Sequence, residues 1–172
     1  MKNNAPIKRH QALVSFSRDH HFGLLLVWKI RQGLAKAINP ERITNYVLYA
    51  FDNDLRQHFS EEERLMFSKL PAGDPLRQQA ENEHASIYGL VEKLRSDKTK
   101  EAWLTQFANS LQDHIRFEER TLFTYMQEKL GAADLETIAS YDGTEAGDID
   151  ARWEDLFWER KIDPVFKTEK QQ

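Results

Sequence analysis

The chain has 172 residues, a formal net charge of −4 and no cysteine. That length suits one domain able to bury a sizeable core, while the missing thiols exclude disulfide frameworks, thiolate zinc sites, iron–sulfur clusters and cysteine nucleophiles. The mixed charge gives no reason to expect nucleic acid as a partner, and the longest apolar run, 22–28, falls far short of the roughly 20 residues that cross a membrane.

Over residues 1–16 no apolar stretch of the secretory-signal kind is visible, so a cytoplasmic location is the default expectation. Helical periodicity then dominates, and Pro40, Pro71 and Pro75 fall between the periodic segments. The first predicted helix covers 11–37, with Leu13, Phe16, Gly23, Val27, Ile30 and Leu34 on one face. The second covers 41–69, with Val47, Phe51, Leu55 and Leu65. The third covers 74–95, with Asp74 as N-cap, Pro75 at its first position and a stripe of Leu76, Ala80, Ile87, Val91 and Leu94. The fourth covers 100–129, with Trp103, Phe107, Leu111, Leu122 and Tyr125, and stops before Gly131. Short connections between amphipathic helices predict an all-α fold, an up-down-up-down antiparallel four-helix bundle over 1–131 with a short C-terminal helical extension over 132–172. Within that extension, 132–140 suits a fifth helix, 141–150 a linker and 151–160 another short helix. Trp153, Phe157 and Trp158 are expected to leave water, by docking on the bundle or by joining two copies into a homodimer.

Polar residues interrupt the apolar stripes. His20 falls between Phe16 and Gly23, His58 and Glu62 between Leu55 and Leu65, His84 between Ala80 and Ile87, and His114 and Glu118 between Leu111 and Leu122. Taken singly, each histidine suits a hydrogen-bonded core residue and each His-x-x-x-Glu a surface pair. Together, four imidazoles and two carboxylates turned toward a core demand a common compensation, because buried charges are costly unless paired. A metal centre supplies it. Nitrogen and oxygen donors without sulfur suit iron, manganese or zinc. Six ligands exceed one tetrahedral zinc, and two carboxylates able to span two ions point to a dinuclear centre, iron first and manganese or zinc after it.

The strings Asp19-His20-His21, His58-Phe59-Ser60-Glu61-Glu62-Glu63, Glu83-His84-Ala85-Ser86-Ile87 and His114-Ile115-Arg116-Phe117-Glu118-Glu119 resemble the hemerythrin-like, HHE cation-binding family over about 11–130. The resemblance implies a non-heme di-iron centre, two iron ions joined by an oxo or hydroxo bridge. His20, His58, His84 and His114 would be terminal ligands, and Glu62 and Glu118 bridging carboxylates. It also implies binding or sensing of O2, NO or peroxide, or iron handling. Ferritin-like bundles fit less well, since they place the carboxylate before the histidine with a spacing of three. Tyr88 departs from the oxygen carriers of the family, which have a histidine there. It leaves more open iron positions, puts reversible oxygen carriage in doubt, and is expected to donate a hydrogen bond toward the centre or to bind a metal weakly.

Around these residues, Asp54 shares a face with His58 and is expected to hydrogen-bond an inner group. His21 faces away from the site, His10 is solvated, and Glu61, Glu63 and Glu119 read as a solvated face; Asp19, Glu83 and Asp113 are turned off the site by helical geometry. No phosphate loop or nucleophile elbow is present, so enzymatic turnover stays open. The competing reading is a metal-stabilised interaction or regulatory module whose aromatic C-terminal tail engages a partner.

Overall fold

The computed structural model describes residues 8–144 and 147–159. Arg160, where the last predicted helix ends, and the rest of the expected extension lie outside them. All described secondary structure is helical. Helix α1 (Val14–Ala35) follows a 3-10 turn, Gln11–Leu13, capped by the His10 side chain. A second rod joins α2 (Pro40–Ala50) to α3 (Arg56–Glu61) through a π turn, Phe51–Leu55, and runs on through a π turn, Glu62–Met66. The third rod is α4 (Pro75–Ser96). The fourth joins α5 (Glu101–Phe117) to α6 (Phe123–Lys129) through a π turn, Glu118–Leu122. These rods fall where the apolar period predicts helices.

Local chemistry sets the ends. Asn39 accepts from the Glu41 amide and Asp74 from the Leu76 and Arg77 amides, each with proline at the first helical position, where no amide is needed. The end of α1 is a Schellman turn: Ala37 N–H donates to the Leu34 carbonyl and Ile38 N–H to the Gly33 carbonyl, both at 3.0 Å. Ala37 takes φ +52 there, a left-handed conformation that its Cβ disfavours. An Ala37→Gly substitution is therefore expected to stabilise the fold by about 0.5–1 kcal/mol, the relief of strain exceeding the added freedom of the unfolded chain. Urea unfolding reads this directly, and a destabilised glycine variant would contradict it.

Helix α1 packs on α5 and α2, and α4 packs on α5 and α2, closing a ring of four rods. Their buried side chains form two apolar clusters. One holds Leu26, Ile30, Val47, Phe51, Leu55, Val91, Phe107 and Leu111; the other holds Leu13, Phe16, Leu65, Phe67, Ala80, Leu122 and Phe123. Each buried Leu or Phe contributes about 1.5–3 kcal/mol. Along α1 and α4 the chain passes from the second cluster to the first, and along the other two rods from the first to the second. On every rod the crossing falls at the histidines and glutamates that break the stripe.

Helix α7 (Ala132–Ala139) packs on the turn before α1 and buries Ile138, and Tyr141 then stacks on Phe16 with ring centroids 4.1 Å apart. The last described helix, α8 (Gly147–Ala151), lies in the expected linker, and the expected helix after it is a series of turns instead. Docking decides this. Trp153 stacks on Tyr49, Trp158 leans on Tyr46, and Phe157 is buried against Gly33 and Ile43, where a Cβ on Gly33 would lie 2.9 Å from Phe157. Those aromatic rings sit on their own chain's bundle. They cover Lys29, whose Nζ donates to the Tyr46 hydroxyl (2.8 Å), pairs with Asp150 and lies 4.1 Å over the Trp158 ring. Burial pushes the Lys29 amine down, and Asp150 opposes that push.

Candidate metal centre

The six residues that interrupt the stripes are all buried and converge between the two apolar clusters. They form two groups. One potential ligand atom from each of His20, His58, Glu62 and Glu118 lies within 4.8 Å of the others, and the same holds for Glu62, His84, His114 and Glu118. Both glutamates belong to both groups.

The carboxylate oxygens divide accordingly. Glu62 Oε1 lies 2.7 Å from His58 Nε2 and 3.4 Å from His20 Nε2, while its Oε2 lies 3.2 Å from His84 Nε2. Glu118 Oε2 lies 2.9 Å from His20 Nε2, while its Oε1 lies 3.5 Å from His114 Nε2. Close as they are, Nε2 of His20 and His58 and all four of these oxygens lack an aligned hydrogen bond to any described residue. Each glutamate opens a π turn, a local widening of the helix that recurs at functional sites.

Outer hydrogen bonds fix the imidazoles. Nδ1–H of His20 donates to Glu119 Oε1 (2.7 Å), His58 to Asp19 Oδ2 (3.2 Å), His84 to Glu63 Oε1 (2.7 Å) and His114 to Glu83 Oε2 (2.8 Å). An ionised carboxylate only accepts, so the proton sits on Nδ1 and the Nε2 lone pairs face inward. Nε2 of His84 and of His114 are 3.0 Å apart, a repulsive approach for two lone pairs unless a cation or a proton lies between them. Buried acceptors left without donors and backed by carboxylates are what a bound cation requires. The donor set, imidazole and carboxylate without sulfur, fits iron.

These outer carboxylates correct the sequence reading. Asp19, Glu63, Glu83 and Glu119 were expected off the site, and each instead braces the histidine of a neighbouring rod. A residue beside a ligand points about 100° around its own helix, which is into the groove where the next rod brings its histidine. The supply is cyclic: first rod to second, second to third, third to fourth, fourth to first. The signal in the sequence is an acidic residue adjoining a core-facing ligand on every rod. Glu119 is itself held by Ser17 (2.7 Å) and Arg9 (2.8 Å); against the upward push of burial, hydrogen bonds from His20 and Ser17 bring its carboxyl down to about 2.

Asp54 is buried one turn before His58 but hydrogen-bonds none of the six; Asp19 takes the His58 Nδ1–H in its place. Burial pushes the Asp54 carboxyl up, with Thr144 and the His58 charge opposing. Tyr88 sets its ring edge on Phe51 and Phe59, and its hydroxyl makes no hydrogen bond to a described residue. His21 and His10 are exposed, as expected.

A family model, the hemerythrin HHE cation-binding domain, matches residues 12–126. The chain belongs to that family. No curated protein and no solved structure matches it. The matched span of this HHE chain contains all six converging residues and the four outer carboxylates, and ends before α7 and Tyr141.

Without metal, the same cluster binds protons in the cation's place. Burial lowers the His58 pKa, but Glu62 and Asp19 override it and raise the group to about 9; His84 rises to about 9 through Glu62 and Glu63 against the same burial. Both exceed the ordinary 6.5, so their contribution to stability is fully present below about pH 6.5 and is lost as the pH rises through about 9. Chelator-treated protein is accordingly expected to unfold at lower urea at pH 9.5 than at pH 6. Unchanged or greater stability at pH 9.5 would contradict this.

Proposed function

We propose that this chain holds two metal ions, iron first with manganese or zinc as alternatives, and that it binds or senses O2, NO or peroxide or handles iron through them. In this reading His20 and His58 hold one ion, His84 and His114 the other, and Glu62 and Glu118 bridge both. One observation carries it: each glutamate splits its two oxygens between two histidine pairs. A single-ion site has no use for that division.

The reading includes an up-down-up-down bundle over 1–131 with an extension over 132–172. Connections at 36–39, 70–74 and 97–100 suit antiparallel neighbours. The alternating passage between apolar clusters supports the same topology. So does the position of the outer carboxylate, before the ligand on the first and third rods (Asp19, Glu83) and after it on the second and fourth (Glu63, Glu119). Reversing a helix reverses the sense in which a neighbouring residue turns.

Bound iron supplies a redox-active Lewis acid with positions left for a small ligand, since the protein offers each ion two imidazoles and two shared carboxylates. The chain's own groups do the rest. The four outer carboxylates lock the imidazole tautomers. Phe59 stacks on His84 at 4.0 Å and Phe123 on His20 at 5.4 Å, excluding water. Tyr88, one turn beyond His84 and with no hydrogen bond from its hydroxyl to a described residue, is placed in this reading to donate to a bound ligand.

Anaerobic titration with Fe(II), followed by admission of air, tests the reading. Two equivalents per chain and a ligand-to-Fe(III) charge-transfer band are expected; saturation at one equivalent, or no uptake, would overturn it.

A further inference from the structure

We infer that the segment 141–144, beyond the span matched by the family, is part of the metal centre, and that Tyr141 is a positioning residue for one of its two ions. The inference rests on the two-ion reading and adds an asymmetry to it. Three of the four outer carboxylates, Glu63, Glu83 and Glu119, are partly open to solvent. Asp19, which braces His58, is buried.

The C-terminal segment closes over Asp19. Tyr141 donates its hydroxyl proton to Asp19 Oδ2 at 2.5 Å, the same oxygen that accepts from His58. The Thr144 amide donates to Asp19 at 3.2 Å. Between them Gly143 adopts φ +95, and a Cβ there would lie 3.0 Å from Asp19 Oδ1 and 2.6 Å from the Arg18 guanidinium. Only glycine lets the backbone pass so near the carboxylate in that conformation. The Tyr141 ring, stacked on Phe16, anchors the segment independently of its hydroxyl.

A buried carboxylate is fixed by its donors. Here two of the three come from a segment outside the four rods, and without them Asp19 is free to turn toward the opening lined by Arg18, His21 and Thr144. His58 would then lose its brace. His84 and His114 are braced by Glu63 and Glu83, which touch nothing in this segment. The coupling therefore reaches the ion held by His20 and His58 and spares the other. Linkage makes it reciprocal: metal in that position secures the segment on the bundle.

Fe(II) titration of the full chain under anaerobic conditions, with a competing chromophoric chelator, tests this in wild type, Tyr141→Phe and Gly143→Ala. Tyr141→Phe keeps the stacked ring but takes one donor from a buried carboxylate, so the metal-free protein is expected to stay folded and to unfold cooperatively, with its midpoint lowered by no more than about 10 °C. One of its two Fe(II) equivalents is expected to weaken by about 10–100-fold while the other is unchanged, as losing an outer partner does. Gly143→Ala is expected to weaken the same equivalent. Two wild-type equivalents in Tyr141→Phe, or equal weakening of both, would overturn the inference. Absence of two equivalents in wild type would instead sink the two-ion reading itself.

Discussion

On the two-ion reading, a Glu62→Ala variant is expected to lose both metal ions, whereas His58→Ala loses one. Glu62 is fully buried, with one oxygen facing His20 and His58 and the other facing His84. Removing one partner from a buried charge pair costs about 3–5 kcal/mol, roughly a 10²–10⁴-fold loss of affinity. Because the carboxylate serves both histidine pairs, the loss falls on both ions. Alanine is a good helix former, so the rod itself is expected to persist. Elemental analysis after anaerobic loading separates the cases: near two iron per chain in wild type, near zero in Glu62→Ala, near one in His58→Ala. A Glu62→Ala protein that keeps a full equivalent would show that the glutamate is not shared.

The second large effect is on stability. Four imidazoles and two carboxylates lie where apolar side chains would otherwise meet, and metal offsets their mutual repulsion. At a free concentration 1,000 times its Kd, each ion stabilises the fold by about 4 kcal/mol, so two contribute roughly 8 kcal/mol. At about 2–4 °C per kcal/mol for a chain of this size, chelation is expected to lower the melting temperature by roughly 15–30 °C at neutral pH. The drop is expected to widen toward pH 9.5, where protons no longer substitute for the cations at His58 and His84. Calorimetry with and without chelator measures it; coincident melting curves would contradict a metal-dependent core.

The rods were legible because the 3.6-residue period is strong and Pro40, Pro71 and Pro75 punctuate it. The six converging residues were legible for the same reason: His20, His58, Glu62, His84, His114 and Glu118 occupy positions that the period assigns to the interior. What one helix cannot reveal is what its neighbour brings alongside. Asp19, Glu63, Glu83 and Glu119 look solvated on their own helical wheels and become braces only in the grooves between rods. The π turns at Glu62 and Glu118 add a residue to a turn that periodicity counts as ordinary. The tail misled for another reason. Trp153 and Phe157 stand four apart, as on a helix, but their path follows the pockets around Tyr46, Tyr49 and Gly33 rather than local periodicity. Lys29 gave no sign of its burial because its cover comes from Asp150 and Trp158, more than a hundred positions away.

Anomalous diffraction at the iron edge from iron-loaded crystals tests the shared-carboxylate centre most directly. Two peaks per chain are expected, one beside Nε2 of His20 and His58 and one beside Nε2 of His84 and His114, with Glu62 and Glu118 each touching both. A single peak, or two peaks with either glutamate bound to one ion alone, would contradict it.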